Sequence, residues 1–259
     1  MTTAVRHVFH RTLRRFAFAL LVGGLATASR AAELTVFAAA SLAEALQEIA
    51  PAYTAVSGDT LRFSFGASGT LARQIKEGAP ADVLVSADEL RLDQLERAGL
   101  LAVGTRRTIL ANQLVVVVEA AAGAFNTPDA LASANVRRIA IGEPATVPAG
   151  TYTRQYLDSA GLWAQLSGKL VPLDNVRAVL AAVEAGNADA GFVYRTDALL
   201  SKKVRIALAV PLDAGPRITY PAAALRDAKS PAAAARFVAF LAGPEAQTVF
   251  ARHGFLPAP

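Results

Sequence analysis

The sequence predicts an α/β fold of two related halves, each a parallel-rich sheet with helices on both faces. Three observations carry this. Short apolar runs alternate with stretches of helical period along the chain, the pattern of β-α-β units. Glycines stand just past the helical stretches and hydroxyl, carboxylate or carboxamide residues just before them, as helix stops and starts require. Finally, Ala81-Asp82 before an apolar strand, then Asp88 and Leu90, is echoed by Ala188-Asp189 before another, then Asp197 and Leu199.

The first strand, Leu34–Ala39, runs straight into Ser41-Leu42-Ala43-Glu44, which predicts a capping box opening a helix over 42–53. Leu42, Ala45, Leu46, Ile49 and Tyr53 fall on one face of that helix. A strand at Leu61–Phe65 precedes a helix over 69–77, with Ser68 at its start and Gly78 past its end. Asp82–Ser86 leads to a helix over 88–98, between Asp88 and Gly99. Gln113–Val118, with Leu114 followed by four valines, reads as a strand buried on both faces. A helical stretch over 127–133 follows, then a strand at Arg138–Ile141 and a helix over 151–160, between Thr151 and Gly161. Leu170–Leu173 precedes a helix over 176–185, capped by Asp174 or Asn175 and stopped by Gly186. Strands at Gly191–Tyr194, Val204–Val210 and Tyr220–Leu225 and one helix near 231–251 complete the chain.

Leu114–Val118 and the segment around Tyr220 are expected to be paired strands that cross between the halves. Residues 33–113 with 220–259 then form one discontinuous lobe and 114–219 the other, with a ligand cleft between them.

Residues 1–32 carry five arginines and no acid, then the short apolar run Phe16–Leu25 and small residues from Ala26 to Ala32. This is the pattern of a secretory signal peptide, and the run is well short of the ~20 residues of a membrane span. The chain carries +5 at neutral pH, so the remainder is electrically neutral. Its basic character belongs to the leader and argues for no nucleic-acid or membrane-surface partner. There is no cysteine, and His253 is the one histidine after residue 32. Thiolate metal sites and disulfides are excluded, and a Ser-His-Asp triad has a single histidine to draw on.

What remains is a set of strand-to-helix junctions with small, neutral residues. A strand that ends at a helix N-terminus leaves backbone N–H groups for an anion. Ser41 reads either as a helix cap or as a donor to a bound oxygen. Gly66-Ala67-Ser68-Gly69-Thr70 reads as an anion nest or as an ordinary turn. It is not a Gly-x-Ser-x-Gly elbow and lacks the lysine of a phosphate-binding P-loop. In Val147-Pro148-Ala149-Gly150-Thr151-Tyr152, Pro148 pre-sets φ and Gly150 exposes backbone. Asp174-Asn175-Val176-Arg177 offers the Val176 amide, with Arg177 as an ion-pairing residue. Tyr194, at a strand's carboxyl end, is either a core aromatic or a hydroxyl aimed into a cleft.

Three stretches resemble the periplasmic molybdate-binding proteins of ABC importers: Thr35-Val36-Phe37-Ala38-Ala39-Ala40-Ser41-Leu42, Ser68-Gly69-Thr70-Leu71-Ala72-Arg73-Gln74-Ile75 and Gly78-Ala79-Pro80-Ala81-Asp82. The likeness continues in order through Gly142-Glu143-Pro144, Val147-Pro148-Ala149-Gly150, Asp174-Asn175-Val176-Arg177, Val193-Tyr194, Gly243-Pro244-Glu245-Ala246 and Gly254-Phe255. It implies the two-lobed type II periplasmic-binding-protein fold, joined by two hinge strands. It implies oxyanion contacts from Ser41 and Ser68 (hydroxyl and amide), Ala149 and Val176 (amide) and Tyr194 (hydroxyl). It further implies molybdate or tungstate as ligand, with the metal held as its oxyanion and not by side chains. No other cofactor is implied, and the partner is a membrane permease met by a monomeric periplasmic receptor. The competing readings are a receptor for another tetrahedral oxyanion such as sulfate, and a secreted serine hydrolase using Ser41 or Ser68.

Overall fold

The computed structural model describes residues 31–123, 125 and 127–259. All but the last two positions of the expected signal segment lie outside them. The first lobe opens with β1 (Glu33–Ala39), a 3-10 turn at Ala40–Leu42, and α1 (Ala43–Ser57). It continues through β2 (Thr60–Gly66), α2 (Ser68–Lys76), β3 (Val83–Val85), α3 (Glu89–Arg97) and β4 (Arg107–Asn112). The second lobe holds β5 (Leu114–Glu119), a 3-10 turn at Pro128–Ala132, β6 (Ile139–Gly142), α4 (Pro148–Ser159) and α5 (Trp163–Leu166). There follow β7 (Leu170–Leu173), α6 (Val176–Glu184), β8 (Ala190–Tyr194), α7 (Arg195–Leu199) and β9 (Val204–Ala209). The chain then returns to the first lobe as β10 (Ile218–Ala224), α8 (Pro231–Leu241), α9 (Pro244–Arg252) and β11 (Leu256–Pro257).

The first sheet has the order β11-β4-β10-β3-β1-β2 and the second β7-β6-β8-β5-β9. β1 pairs in parallel with β2 and β3, and β6 with β7 and β8. These are the strands reached through crossover helices. Each sheet also accepts, antiparallel, the strand that arrives from the other lobe: β10 lies between β3 and β4, and β5 between β8 and β9. Both sheets are therefore mixed, where parallel-rich ones were expected. The orders β2-β1-β3-β10 and β7-β6-β8-β5 match.

The internal echo has a physical counterpart. Asp82, before β3, accepts the N–H of Thr35 at the start of neighbouring β1 (2.7 Å) and that of Lys229 (2.7 Å). Asp189, before β8, accepts those of Arg137 and Arg138 just ahead of neighbouring β6 (2.8 Å each). In both lobes a carboxylate ties down the start of the central strand, ahead of the point where β3 pairs with β1 and β8 with β6.

Leu114–Val118 is buried, as its composition predicts. It does not pair with the segment around Tyr220, however: β5 pairs β8 and β9, whereas Tyr220 lies opposite Leu110 of β4. What run side by side are the crossings themselves. Only Gln113 separates β4 from β5. Its Nε2 donates to the Val210 carbonyl (2.8 Å), and the Val210 N–H donates to the Leu114 carbonyl (3.0 Å).

The helix punctuation holds at some positions and fails at others. Gly78, Gly99, Gly161 and Gly186 all have positive φ past their helices, and Asp88 and Asn175 cap α3 and α6. Ser41, Ser68 and Thr151 cap nothing. The 3-10 turn after β1 carries Ser41 into the sheet end, so α1 starts at Ala43 with no side-chain cap and the expected capping box is absent. α2 starts one residue early, at Ser68 itself. α4 starts at Pro148, whose ring suits a first helical position, and Thr151 donates to the carbonyls of Pro144 and Val147 from inside the helix. The terminal helix is two helices, because Pro244 ends one ladder and opens the next.

Asp82 is buried and serves two backbone donors. Asp82→Ala leaves both unpaired and is expected to destabilise the protein by about 2–4 kcal/mol. Equilibrium denaturation measures this, and a loss under about 1 kcal/mol would show that the tie is dispensable.

Candidate functional site

The carboxyl ends of β1, β2, β3, β6, β7 and β8 converge on one pocket at the junction of the lobes, where open α/β sheets place ligands. Ser41 and Ser68 reach it from the first lobe, and Ala149, Val176 and Tyr194 from the second. All five residues singled out in the sequence thus line one cavity, and all are buried. None of the residues lining it is charged. The cavity is small, about 10 Å³, roughly the space one water needs, so nothing as large as a sugar or a peptide is enclosed there.

Backbone donors come from three helix starts. Asn175 caps α6 by accepting the N–H groups of Arg177 and Ala178 (2.9 and 3.0 Å) and does not take that of Val176, which faces the pocket. α4 has Pro148 first, with no N–H, so Ala149 presents the first amide. α4 can come this close to the end of β6 because of Gly150. A Cβ there would lie 1.9 Å from the Gly142 carbonyl oxygen, so Gly150 serves close packing and not the exposure of backbone that its place in the motif had implied. α2 brings Ser68. Its neighbour Gly69 donates its N–H across the cleft to the Thr146 carbonyl (3.0 Å) and is not available to a nest.

Three hydroxyls complete the lining. Ser68 Oγ accepts the Ala87 N–H (3.0 Å), and Ser41 Oγ lies 3.0 Å from the Tyr220 hydroxyl. The Tyr194 hydroxyl is buried and has no hydrogen-bond partner among the described residues. A buried polar group without a partner is costly, and this hydroxyl has its hydrogen-bonding capacity free on the wall of the pocket. Burial, then the neighbouring Tyr220 and Tyr152, push its pKa well above the ordinary phenol value, so it stays a donor.

The charges stand outside the pocket and join the lobes. Arg177, next to Val176, pairs with Glu44 of α1 through Nη1–Oε1 (3.0 Å) and Nη2–Oε2 (2.5 Å). Its Nε lies 2.8 Å from Asp197 Oδ1, an ion pair off the hydrogen-bond line. Glu44 thus serves an arginine of the other lobe. Arg91 of α3 donates to the Ala145 carbonyl (3.0 Å). With Gly69–Thr146, these contacts hold the lobes together around the site. Sequence reasoning missed Asn112, Tyr220 and Arg91, because their roles depend on partners 54 to 179 residues away.

The chemistry of this arrangement is capture of an anion by neutral donors. Among the described residues, no base lies within hydrogen-bonding distance of either serine: Ser41 meets Tyr220, Ser68 meets the Ala87 amide, and His253 is engaged with Glu48 (2.7 Å).

Comparison with known proteins bears on the family and the fold. The family model described as bacterial extracellular solute-binding protein matches residues 34–256. The molybdate-binding protein ModA of Escherichia coli (strain K12) is 39% identical over 244 residues, 92% of this chain and 94% of that protein. The Haemophilus influenzae molybdate-binding protein ModA is 34% identical over 252 residues, covering 95% and 98%. Among solved structures, the Azotobacter vinelandii periplasmic molybdate-binding protein superposes with a TM-score of 0.79 at 27% identity, over 87% of this chain and all of that one. The sulfate-binding protein SubI of Mycobacterium tuberculosis H37Rv shares the fold, with a TM-score of 0.74 at 20% identity, over 88% and 87%.

Burial pushes the Asp197 carboxyl up to about 6 from 3.8, against the opposing pull of Arg177. The native state therefore holds this proton more tightly than the unfolded chain. The associated stabilisation is complete below the unfolded value and is lost as pH rises through about 6, up to about 3 kcal/mol in all. Asp197→Asn is expected to remove this decline. Denaturation at a series of pH values measures it, and parallel profiles for the two proteins would refute the assignment.

Proposed function

This chain belongs to the family of bacterial extracellular solute-binding proteins, and on that premise we propose that it captures molybdate, and tungstate with it, between its lobes. It then delivers the oxyanion to the permease of an ABC importer. The observation that carries the reading is the unpartnered Tyr194 hydroxyl in a small pocket of donors without a charge. Molybdate is a tetrahedral dianion with no proton at neutral pH, so its site needs donors and no acceptor. Helix N-termini and neutral donors offset its charge without a buried cation. Hydrogen bonds to a charged group contribute about 1.5–3 kcal/mol each. Several of them, less the cost of association, give tight binding.

The ligand contacts in this reading are the hydroxyls and amides of Ser41 and Ser68, the amides of Ala149 and Val176, and the Tyr194 hydroxyl. Residues 33–113 with 220–259 act as one lobe and 114–219 as the other, and the ligand stabilises their closed arrangement. The receptor works as a monomer in the periplasm after export by its N-terminal signal. Hydrogen phosphate is disfavoured because its proton finds no carboxylate to accept it. Sulfate matches molybdate in charge and shape and differs in size, so a sulfate receptor is the alternative reading, and cavity dimensions decide between them.

Calorimetric titration is expected to give binding of molybdate and tungstate, much weaker sulfate and the weakest phosphate. Equal affinity for sulfate and molybdate would reduce the reading to a general oxyanion receptor. Ser68→Ala and Tyr194→Phe each remove one hydroxyl and are expected to cost about 1–3 kcal/mol of molybdate binding. Wild-type affinity in both would mean that the ligand lies elsewhere.

A further inference from the structure

Behind Ser41 lies a buried chain of polar groups that does not touch the pocket. Asn112, the last residue of β4, receives the Gln113 N–H on its Oδ1 (2.9 Å). That bond fixes which way the amide is turned, since the opposite orientation would set N–H against N–H. Its Nδ2 therefore faces the Thr196 hydroxyl (3.0 Å) and the Tyr220 oxygen (3.2 Å) as a donor. Tyr220 is fully buried, out of contact with bulk solvent. With its oxygen receiving the Asn112 proton, its own proton has Ser41 Oγ, at 3.0 Å, as its partner. Burial raises the Tyr220 pKa well above the ordinary value and keeps that proton in place.

From this direction of donation we infer that Asn112 and Tyr220 are positioning residues that turn the Ser41 proton into the pocket and so set the site against protonated oxyanions. The inference rests on the oxyanion-receptor reading and deepens it. A serine hydroxyl carries one proton. If Tyr220 accepted from Ser41, that proton would face the wall and the lone pairs would face the ligand. Lone pairs repel the bare oxygen of molybdate or sulfate and attract the P–OH of hydrogen phosphate. Donation by Tyr220 reverses both effects. The backbone does the same at Ser68, whose oxygen receives the Ala87 N–H (3.0 Å) and whose proton is left for the ligand. Selection against a protonated anion thus comes from the order of hydrogen bonds outside the pocket as well as from the absence of a carboxylate within it.

The test is a double-mutant cycle read by calorimetry in mildly alkaline buffer, with molybdate and with inorganic phosphate competing against it. Tyr220→Phe keeps the ring and removes the donor. With neither donor nor acceptor behind it, the Ser41 hydroxyl can turn either way, so hydrogen phosphate is expected to gain relative to molybdate and the ratio of the two affinities to narrow about tenfold. In a Ser41→Ala background the same change is expected to cost nothing further, because Tyr220 acts through Ser41. Asn112→Ala leaves the Tyr220 hydroxyl but frees its direction, and a smaller narrowing is expected. Costs that add fully in the cycle, or an affinity ratio unchanged in both Tyr220→Phe and Asn112→Ala, would overturn the relay. Failure of the wild type to bind molybdate would instead overturn the receptor reading, so the two failures are distinct.

Discussion

Where a β-strand passes directly into a helix, the first backbone N–H groups of that helix have no partner in the chain, and the architecture of this protein follows from bringing several such junctions to one point. Three helix starts and three hydroxyls meet at the carboxyl ends of six strands. Each donor is neutral and each is held by an element of regular structure. A dianion at that point is neutralised by many partial charges instead of one cation. No lysine or arginine lines the cavity, so amides and hydroxyls are the groups available to a bound anion there.

The full charges are placed with equal economy. Arg177 neighbours the Val176 amide yet turns away from the pocket to Glu44 and Asp197. Arg91 reaches a backbone carbonyl of the opposite lobe. These groups grip the lobes around the site without adding a charge to it.

The two lobes repeat one plan. In each, a central strand has a parallel neighbour on either side, and the strand delivered from the other lobe lies antiparallel next in line. This exchange places Asn112 and Tyr220 at the crossing, beside Ser41. The crossing is thus also the wall behind the ligand site.

Much of this was legible in the sequence. Alternating apolar and helical patterns identified most strands and helices, since burial on one face leaves its period in the residues. The strand-to-helix junctions drew attention to the five pocket residues but left each open to a plain structural role, and the resemblance to molybdate-binding proteins was what singled them out as a set. Local pattern failed where long-range contacts decide. Ser41, Ser68 and Thr151 look like caps, but a 3-10 turn or an earlier helix start places them elsewhere. β4 and β11 carry weak signals and exist because β10 and the core give them partners. Gly69 and Gly150 read as pocket backbone in the sequence, whereas in the folded chain they are close-approach positions. Residue types by themselves determined that the strand-to-helix junctions would carry small, neutral residues, and those residues line the pocket. Only the tertiary structure decided which way each proton points, because that depends on neighbours such as Asn112 and Tyr220 that lie 108 residues apart in the chain.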